Sequence, residues 1–236
     1  MLKKLVGLIV VVVLVGGAAF WYFVLRDDPP AELSVESGDG ATETTTGAAP
    51  ETLDGTWTVE EGDTTAGFRI QESFANGLTD HTAVGRSTDV TGSITIAGTE
   101  ISEGDFTVDL TSLTFTDDPG LSVTNRANAM KNRGLETSQF PEASFALTAP
   151  IDFGAKPTEG ETVTASATGD LTIHGVTNEV TFDVEAKLVG DTIRVATADP
   201  VPVVLADYEM EPPTGGPVAE VSDEGSFEFL VVLGQG

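Results

Sequence analysis

Between Ala66 and Val231 apolar and polar residues alternate, again and again, with a period of two. Ala66, Phe68 and Ile70 alternate with Gly67, Arg69 and Gln71. Further along, Val180, Phe182, Val184, Ala186 and Leu188 alternate with Thr181, Asp183, Glu185 and Lys187. The pattern recurs at Ile94 and Ile96, Phe106 and Val108, Phe145 and Leu147, Leu171 and Ile173, and Phe227, Phe229 and Val231. Strict alternation marks half-buried strands with one apolar and one wet face. His174-Gly175 separates two such runs as a hairpin turn does, and Gly190-Asp191 marks another turn. So many strands joined by short turns restrict the fold to an antiparallel sandwich or barrel.

One stretch breaks the period. Thr124 to Arg133 (TNRANAMKNR) suits a short helix, with Gly134 as its C-terminal cap and Lys131 and Arg133 in the last turn. Arg126 falls near its start, where the helix dipole disfavours a cation. Either it is simply solvated, or it answers a local carboxylate or the polar end of a ligand at a cavity mouth.

The ends of the chain read differently. Leu5 to Leu25 is free of charge, preceded by Lys3 and Lys4 and followed by Arg26-Asp27-Asp28. A helix over it would span roughly 30 Å, the thickness of a bilayer's hydrocarbon core, with its N-terminus in the cytoplasm. Residues 1–25 are thus expected to be a single-pass transmembrane anchor. The rival reading is a signal peptide cleaved near Gly17-Ala18-Ala19. Either way the rest of the chain is exported. Residues 26–52 hold few large apolar side chains among many Asp, Glu, Pro, Gly and Thr, and are expected to form a disordered tether. Residues 53–236 form the folded domain.

Composition removes most chemistry. Net charge is -27, which leaves no basic stripe for nucleic acid, and there is no cysteine for disulfides, thiol catalysis or zinc. Two histidines, His81 and His174, lack a histidine partner for a metal. Asp117-Asp118 within FTDDPG reads as a turn rather than a calcium loop. No HExxH, GxSxG, P-loop or dinucleotide pattern occurs. The expectation is a protein without catalytic residues, cofactor or resident metal.

What remains is an apolar interior face. Phe68, Ile70, Ile94, Ile96, Phe106, Val108, Phe145, Leu147, Leu171, Ile173, Phe182 and Val184 should point inward, because a one-residue slip would bury Asp105 and Asp183 instead. The inward face also carries Ala66, Gly92, Ala165, Ala167, Gly169 and Ala186. Such small residues either leave a void for an apolar ligand or fit the taper of the barrel. These twelve apolar residues, with Arg126, are the candidate ligand-binding set.

Two blocks carry a family resemblance: Arg133 to Phe145 (RGLETSQFPEASF) and Gly169 to Thr177 (GDLTIHGVT). With Trp57-Thr58-Val59, Ala206-Asp207-Tyr208 and Glu211-Pro212-Pro213, they resemble the YceI family of exported lipid-binding proteins over residues 53–233. The resemblance implies a lipocalin-like, eight-stranded antiparallel β-barrel with one short helix and a long tunnel. It further implies a long hydrocarbon ligand, a polyisoprenoid or a fatty-acid derivative. Two positions depart from the family pattern: Ala127 follows Arg126 where an aspartate is usual, and Glu209 follows Tyr208 where glycine is common. The combined expectation is a membrane-anchored, extracytoplasmic lipid carrier. Its alternative is a structural or adhesive surface β-domain that holds no ligand.

Overall fold

The alternating runs become strands in a computed structural model, which describes residues 29–37, 49–75, 81–117, 124–155, 157–215 and 218–236. In chain order the strands are β1 (Gly55–Val59), β2 (Thr65–Phe74), β3 (His81–Ser87), β4 (Val90–Ala97), β5 (Glu100–Asp109) and β6 (Thr114–Phe115). Helix α1 (Thr124–Ala129) then runs into a π-helical turn, Met130–Gly134. After it come β7 (Glu142–Leu147), β8 (Ile151–Asp152), β9 (Thr162–Ile173), β10 (Val176–Val189), β11 (Thr192–Thr197) and β12 (Val201–Val204). A 3-10 turn, Leu205–Tyr208, precedes the last strand, β13 (Val218–Gln235).

The ring runs β1-β4-β5-β7-β9-β10-β11-β13, and β13 returns to β1 through Trp57↔Gln235 and Val59↔Leu233. Closure of these eight antiparallel strands removes the exposed edges that an open sheet would carry. The long β13 pairs farther along with β2 (Phe68↔Phe227) and β12 (Val201↔Phe227), so the wall extends as one surface toward the helix end. Two-residue hairpins join β9 to β10 at His174-Gly175 and β10 to β11 at Gly190-Asp191. His174 and Gly175 adopt φ of 53° and 76°, the left-handed pair that matches strand twist in a tight hairpin. Trp57, fully buried, plugs the interior next to Leu53 and donates its indole N–H to the Leu53 carbonyl at 2.8 Å.

Three sequence expectations need comment. The helix does span 124–133, but its second half is π-helical, and Gly134 does not serve as a left-handed cap. That conformation falls to Glu136 (φ 46°), while Gly134 is small because a Cβ there would lie 2.8 Å from Met130 Sδ. The expected anchor, residues 1–25, lies outside the described residues, and among those described no helix is long and apolar enough to cross a membrane. The tether expectation is corrected for residues 29–37. These cross the outer wall of the barrel, with Leu33 and Val35 buried against Ala196 and Leu230. Burying two such side chains contributes about 1.5–3 kcal/mol each, which helps offset the ordering of a short segment. The remainder of the expected tether, 26–28 and 38–48, lies outside the described residues, and 49–52 lead into the core at Leu53.

Candidate functional site: a carbon-lined cavity

The inward faces of the ring do not meet. Between them lies a cavity of about 200 Å³, walled almost entirely by carbon. Ten of the expected residues line it: Phe68, Ile94, Phe106, Val108, Phe145, Leu147, Leu171, Ile173, Phe182 and Val184. Phe182 is the hub of its aromatic wall, with ring centroids 5.4 Å from Phe145, 5.3 Å from Phe227 and 6.2 Å from Phe229. Phe106, Phe145, Leu147 and Val108 face inward yet are only half-buried, because they border open space rather than other side chains. At ~24 cal/mol per Å³, an unfilled void of that size costs on the order of 5 kcal/mol. A barrel that needed only stability would have closed it.

Two smaller chambers adjoin the main one. A chamber of about 80 Å³ shares Phe68, Leu135, Ile173 and Phe227 with it and extends to Met130 of the π turn, Leu205 and Met210. Ile70 lines this chamber rather than the central cavity. At the other side, about 30 Å³ shares Ile94, Ile101, Phe153 and Val195 with the main cavity and reaches Leu53, Pro157 and Leu188; Ile96 lies here. Each of the two smaller spaces thus shares a wall with the main one.

The small inward residues divide into two groups. Ala66 and Ala167 border the void, as expected of positions that leave room. Gly92 and Gly169 do not: a Cβ at Gly169 would lie 2.4 Å from Phe145 Cζ, and one at Gly92 would lie 2.7 Å from Phe106 Cδ1. Those glycines make space for the aromatic wall itself.

Arg126 is absent from the cavity lining, which corrects the expectation that it faces a ligand. Its side chain is 3% exposed, pairs with Glu72, and places Nη1 2.7 Å from Asp117 Oδ2. The guanidinium also lies over the Phe115 ring at 4.0 Å from the centroid, a cation–π contact. A local carboxylate, the other reading of Arg126, is what it meets. Asp117 gathers the cluster: Oδ2 lies 2.7 Å from His81 Nε2, and Oδ1 accepts the Val84 N–H at 2.8 Å. Burial alone would raise its pKa, but the His81 bond, the Val84 N–H and Arg126 together outweigh this and hold it below the ordinary value. Burial pushes the Glu72 carboxyl up, and Arg126 only partly offsets that. Glu72, His81 and Asp117 bring potential ligand atoms within 4.8 Å of one another, yet a metal ion would have to compete with the Arg126 guanidinium for both carboxylates. Asp117 is thus buried and anchors α1 through Arg126, a role that the reading of its run as a turn did not include. Its sequence neighbourhood, a DDPG run, concealed this.

The two motif blocks meet in space. His174 Nδ1 donates to the Tyr208 carbonyl at 3.2 Å, its Nε2 lies 2.9 Å from Glu136 Oε2, and its ring packs 4.3 Å from Phe140. A backbone carbonyl can only accept, so Nδ1 is the donor in that bond. Phe140 also covers Gly175, where a Cβ would lie 2.8 Å from its ring. The histidine therefore ties the β9–β10 hairpin to the segment after α1. Glu209, at the position where glycine is common, takes φ of 54°. Cavity residues that did not enter the candidate set include Phe227, Phe229 and Val231 on β13, Ile101 on β5, and Leu110 and Leu135 from the loops. The β13 residues alternate openly in the sequence, and Leu110 continues the alternation of Phe106 and Val108; Leu135 carries no periodic signal.

The sequence profile described as a YceI-like domain matches residues 57–233. Among solved structures, the chain is similar to a polyisoprenoid-binding domain from Saccharophagus degradans implicated in plant cell wall breakdown. The TM-score is 0.60 at 18% identity, covering 76% of this chain and 98% of that one. It is also similar to BcnA from Burkholderia cenocepacia, with a TM-score of 0.53 at 18% identity over 74% of this chain and 98% of that one. No curated protein matches the chain. At such identities the structural likeness speaks for the fold alone.

Proposed function

The chain belongs to the YceI-like family, and from that premise we propose that it is a carrier holding one long apolar lipid, a polyisoprenoid or a fatty-acid derivative, inside the barrel. The observation that carries this reading is the chain of carbon-walled chambers, about 200, 80 and 30 Å³, around the half-buried inward phenylalanines. Each methylene buried there contributes about 0.8 kcal/mol, so a long chain binds without any reactive group in the wall. The Saccharophagus domain, described as polyisoprenoid-binding, supports a ligand of this class.

The location belongs to the same proposal. The uncharged run from Leu5 to Leu25, preceded by Lys3-Lys4 and followed by Arg26-Asp27-Asp28, supports a single-pass anchor with the barrel outside the cytoplasm. A tethered carrier would load from, or deliver to, the membrane that holds it. The test is organic extraction and mass spectrometry of the full-length purified protein. A co-purifying long-chain apolar lipid, near one per chain, is the expected result. Lipid-free protein that also fails to take up added long-chain prenol would overturn the reading in favour of a ligand-free surface domain.

A further inference from the structure

The outer wall of the barrel carries a built peptide seat, and the chain's own residues 29–37 occupy it. The segment crosses strands instead of extending the sheet. Pro30 O accepts from Arg69 on β2 and Ala31 O from Arg86 on β3. The Leu33 N–H donates to Glu228 Oε2 on β13, Val35 O accepts from Arg194 on β11, and Glu36 pairs with Lys187 on β10. Beneath it, Glu228 is 1% exposed and pairs with both Arg69 (3.0 Å) and Arg86 (2.9 Å). Leu33 and Val35 close over Ala196 and Leu230. The domain's basic residues are Arg69, Arg86, Arg126, Lys131, Arg133, Lys156, Lys187 and Arg194, and four of these eight meet this one segment. On so acidic a chain, a concentration of cations against backbone carbonyls and one glutamate is a specific docking surface.

We propose that residues 29–37 are a strap whose docking fixes the spacing between the barrel and the membrane. This rests on the proposed anchor over residues 5–25. Were 26–52 a free coil, its root-mean-square reach would be about 30 Å and its contour roughly 90 Å. With Pro30 held by Arg69, only four residues lie between Leu25 and the held residue, a span of at most about 18 Å. The strap thus keeps the β2–β3 side of the barrel against the bilayer, and lipid exchange takes place at contact distance.

The test uses the full chain in phosphatidylcholine vesicles. Because the chain has no cysteine, Thr88→Cys, on the exposed turn after Arg86, gives a single fluorophore site. Energy transfer from that site to an acceptor headgroup lipid is compared with and without Leu33→Ser plus Val35→Ser, and hydrogen exchange is followed in parallel. The expected result is efficient transfer and protected Leu33 amide exchange in the parent. In the double variant transfer falls, and protection drops by about tenfold or more while the barrel strands remain protected. Free exchange at Leu33 in the parent would overturn the strap itself. Protected exchange with equal transfer in both proteins would overturn its spacing role. Failure of the chain to enter vesicles, with Leu33 still protected, would overturn the anchor reading and the spacing built on it, and leave the docked segment established.

Discussion

Ala66 offers the sharpest test of the cavity. It faces inward on β2 but is only half-buried, because the void lies against it. Ala66→Phe would place a phenyl ring in that void, displacing roughly six ligand carbons. At about 0.8 kcal/mol per methylene this removes up to ~5 kcal/mol of binding. A flexible chain can retreat into the adjoining chambers and recover part of that, so the expected loss is about a hundredfold, or ~2.7 kcal/mol. Stability should move the other way. Filling roughly 100 Å³ of empty space at ~24 cal/mol per Å³ gains about 2 kcal/mol in the ligand-free protein. The assay pairs urea unfolding with displacement of a fluorescent long-chain polyene, and Ala146→Phe, on the exposed face of β7, serves as control. Unchanged affinity in Ala66→Phe would show that the ligand does not lie in the barrel. Lost affinity with lowered stability would show that no void existed there to fill.

The buried cluster beneath α1 makes two further predictions. Asp117→Asn should destabilise by about 3 kcal/mol or more in urea at neutral pH, since it leaves Arg126 and His81 without their shared charge, whereas Glu72→Gln should stay within about 1 kcal/mol of the parent; a reversed ranking would refute the assignment of Asp117 as anchor. The Glu72 pKa is raised in the folded protein, so the fold favours its protonated form and loses stability as pH rises from the ordinary value of 4.5 through the higher folded one. Glu72→Gln should therefore gain on the parent across that window and show no such gain below it, as read by unfolding midpoints from pH 4 to 8.

The strands were legible because alternation is a direct consequence of a wall with one wet face, but alternation left sandwich and barrel open, and only the family resemblance pointed to the closed barrel. Ten of the twelve inward apolar residues line the main cavity, and the other two, Ile70 and Ile96, line its neighbours. The strap was missed although the same signal was present. Glu32, Ser34 and Glu36 alternate with Leu33 and Val35, but two apolar residues in an acidic stretch carry too little weight by composition to outrank disorder. Arg126 was legible only as an anomaly. Its position on a short helix demanded a carboxylate or a ligand, and nothing local in the sequence distinguishes the two, because Glu72 and Asp117 reach it from β2 and from just beyond β6. Gly92 and Gly169 show a third limit. A glycine on an inward face can leave a void or receive an aromatic ring, and only the packing decides.

For the proposed lipid, the distribution of cations favours a neutral head group. Arg69 and Arg86 are committed to Glu228 and the strap carbonyls, Arg126 to Glu72 and Asp117, and Lys187 to Glu36. Arg194 serves the strap, Lys131 donates to the Thr111 carbonyl, and Arg133 lies exposed outside the chambers. Where a cation borders a chamber, as Arg69 and Lys187 do, its charge is already paired. A carboxylate entering any of the three spaces therefore finds no uncommitted cation among the described residues, and it approaches a chain of net charge -27 that repels it. A neutral head group avoids both costs. A long-chain prenol should accordingly bind at least tenfold more tightly than a fatty acid of equal carbon number at neutral pH, a difference of about 1.4 kcal/mol. Added salt should narrow the gap by screening the repulsion, and the methyl ester of the same acid should close most of it. Equal binding of acid and ester at low salt would refute this account and require a cation at the cavity that the described residues do not supply.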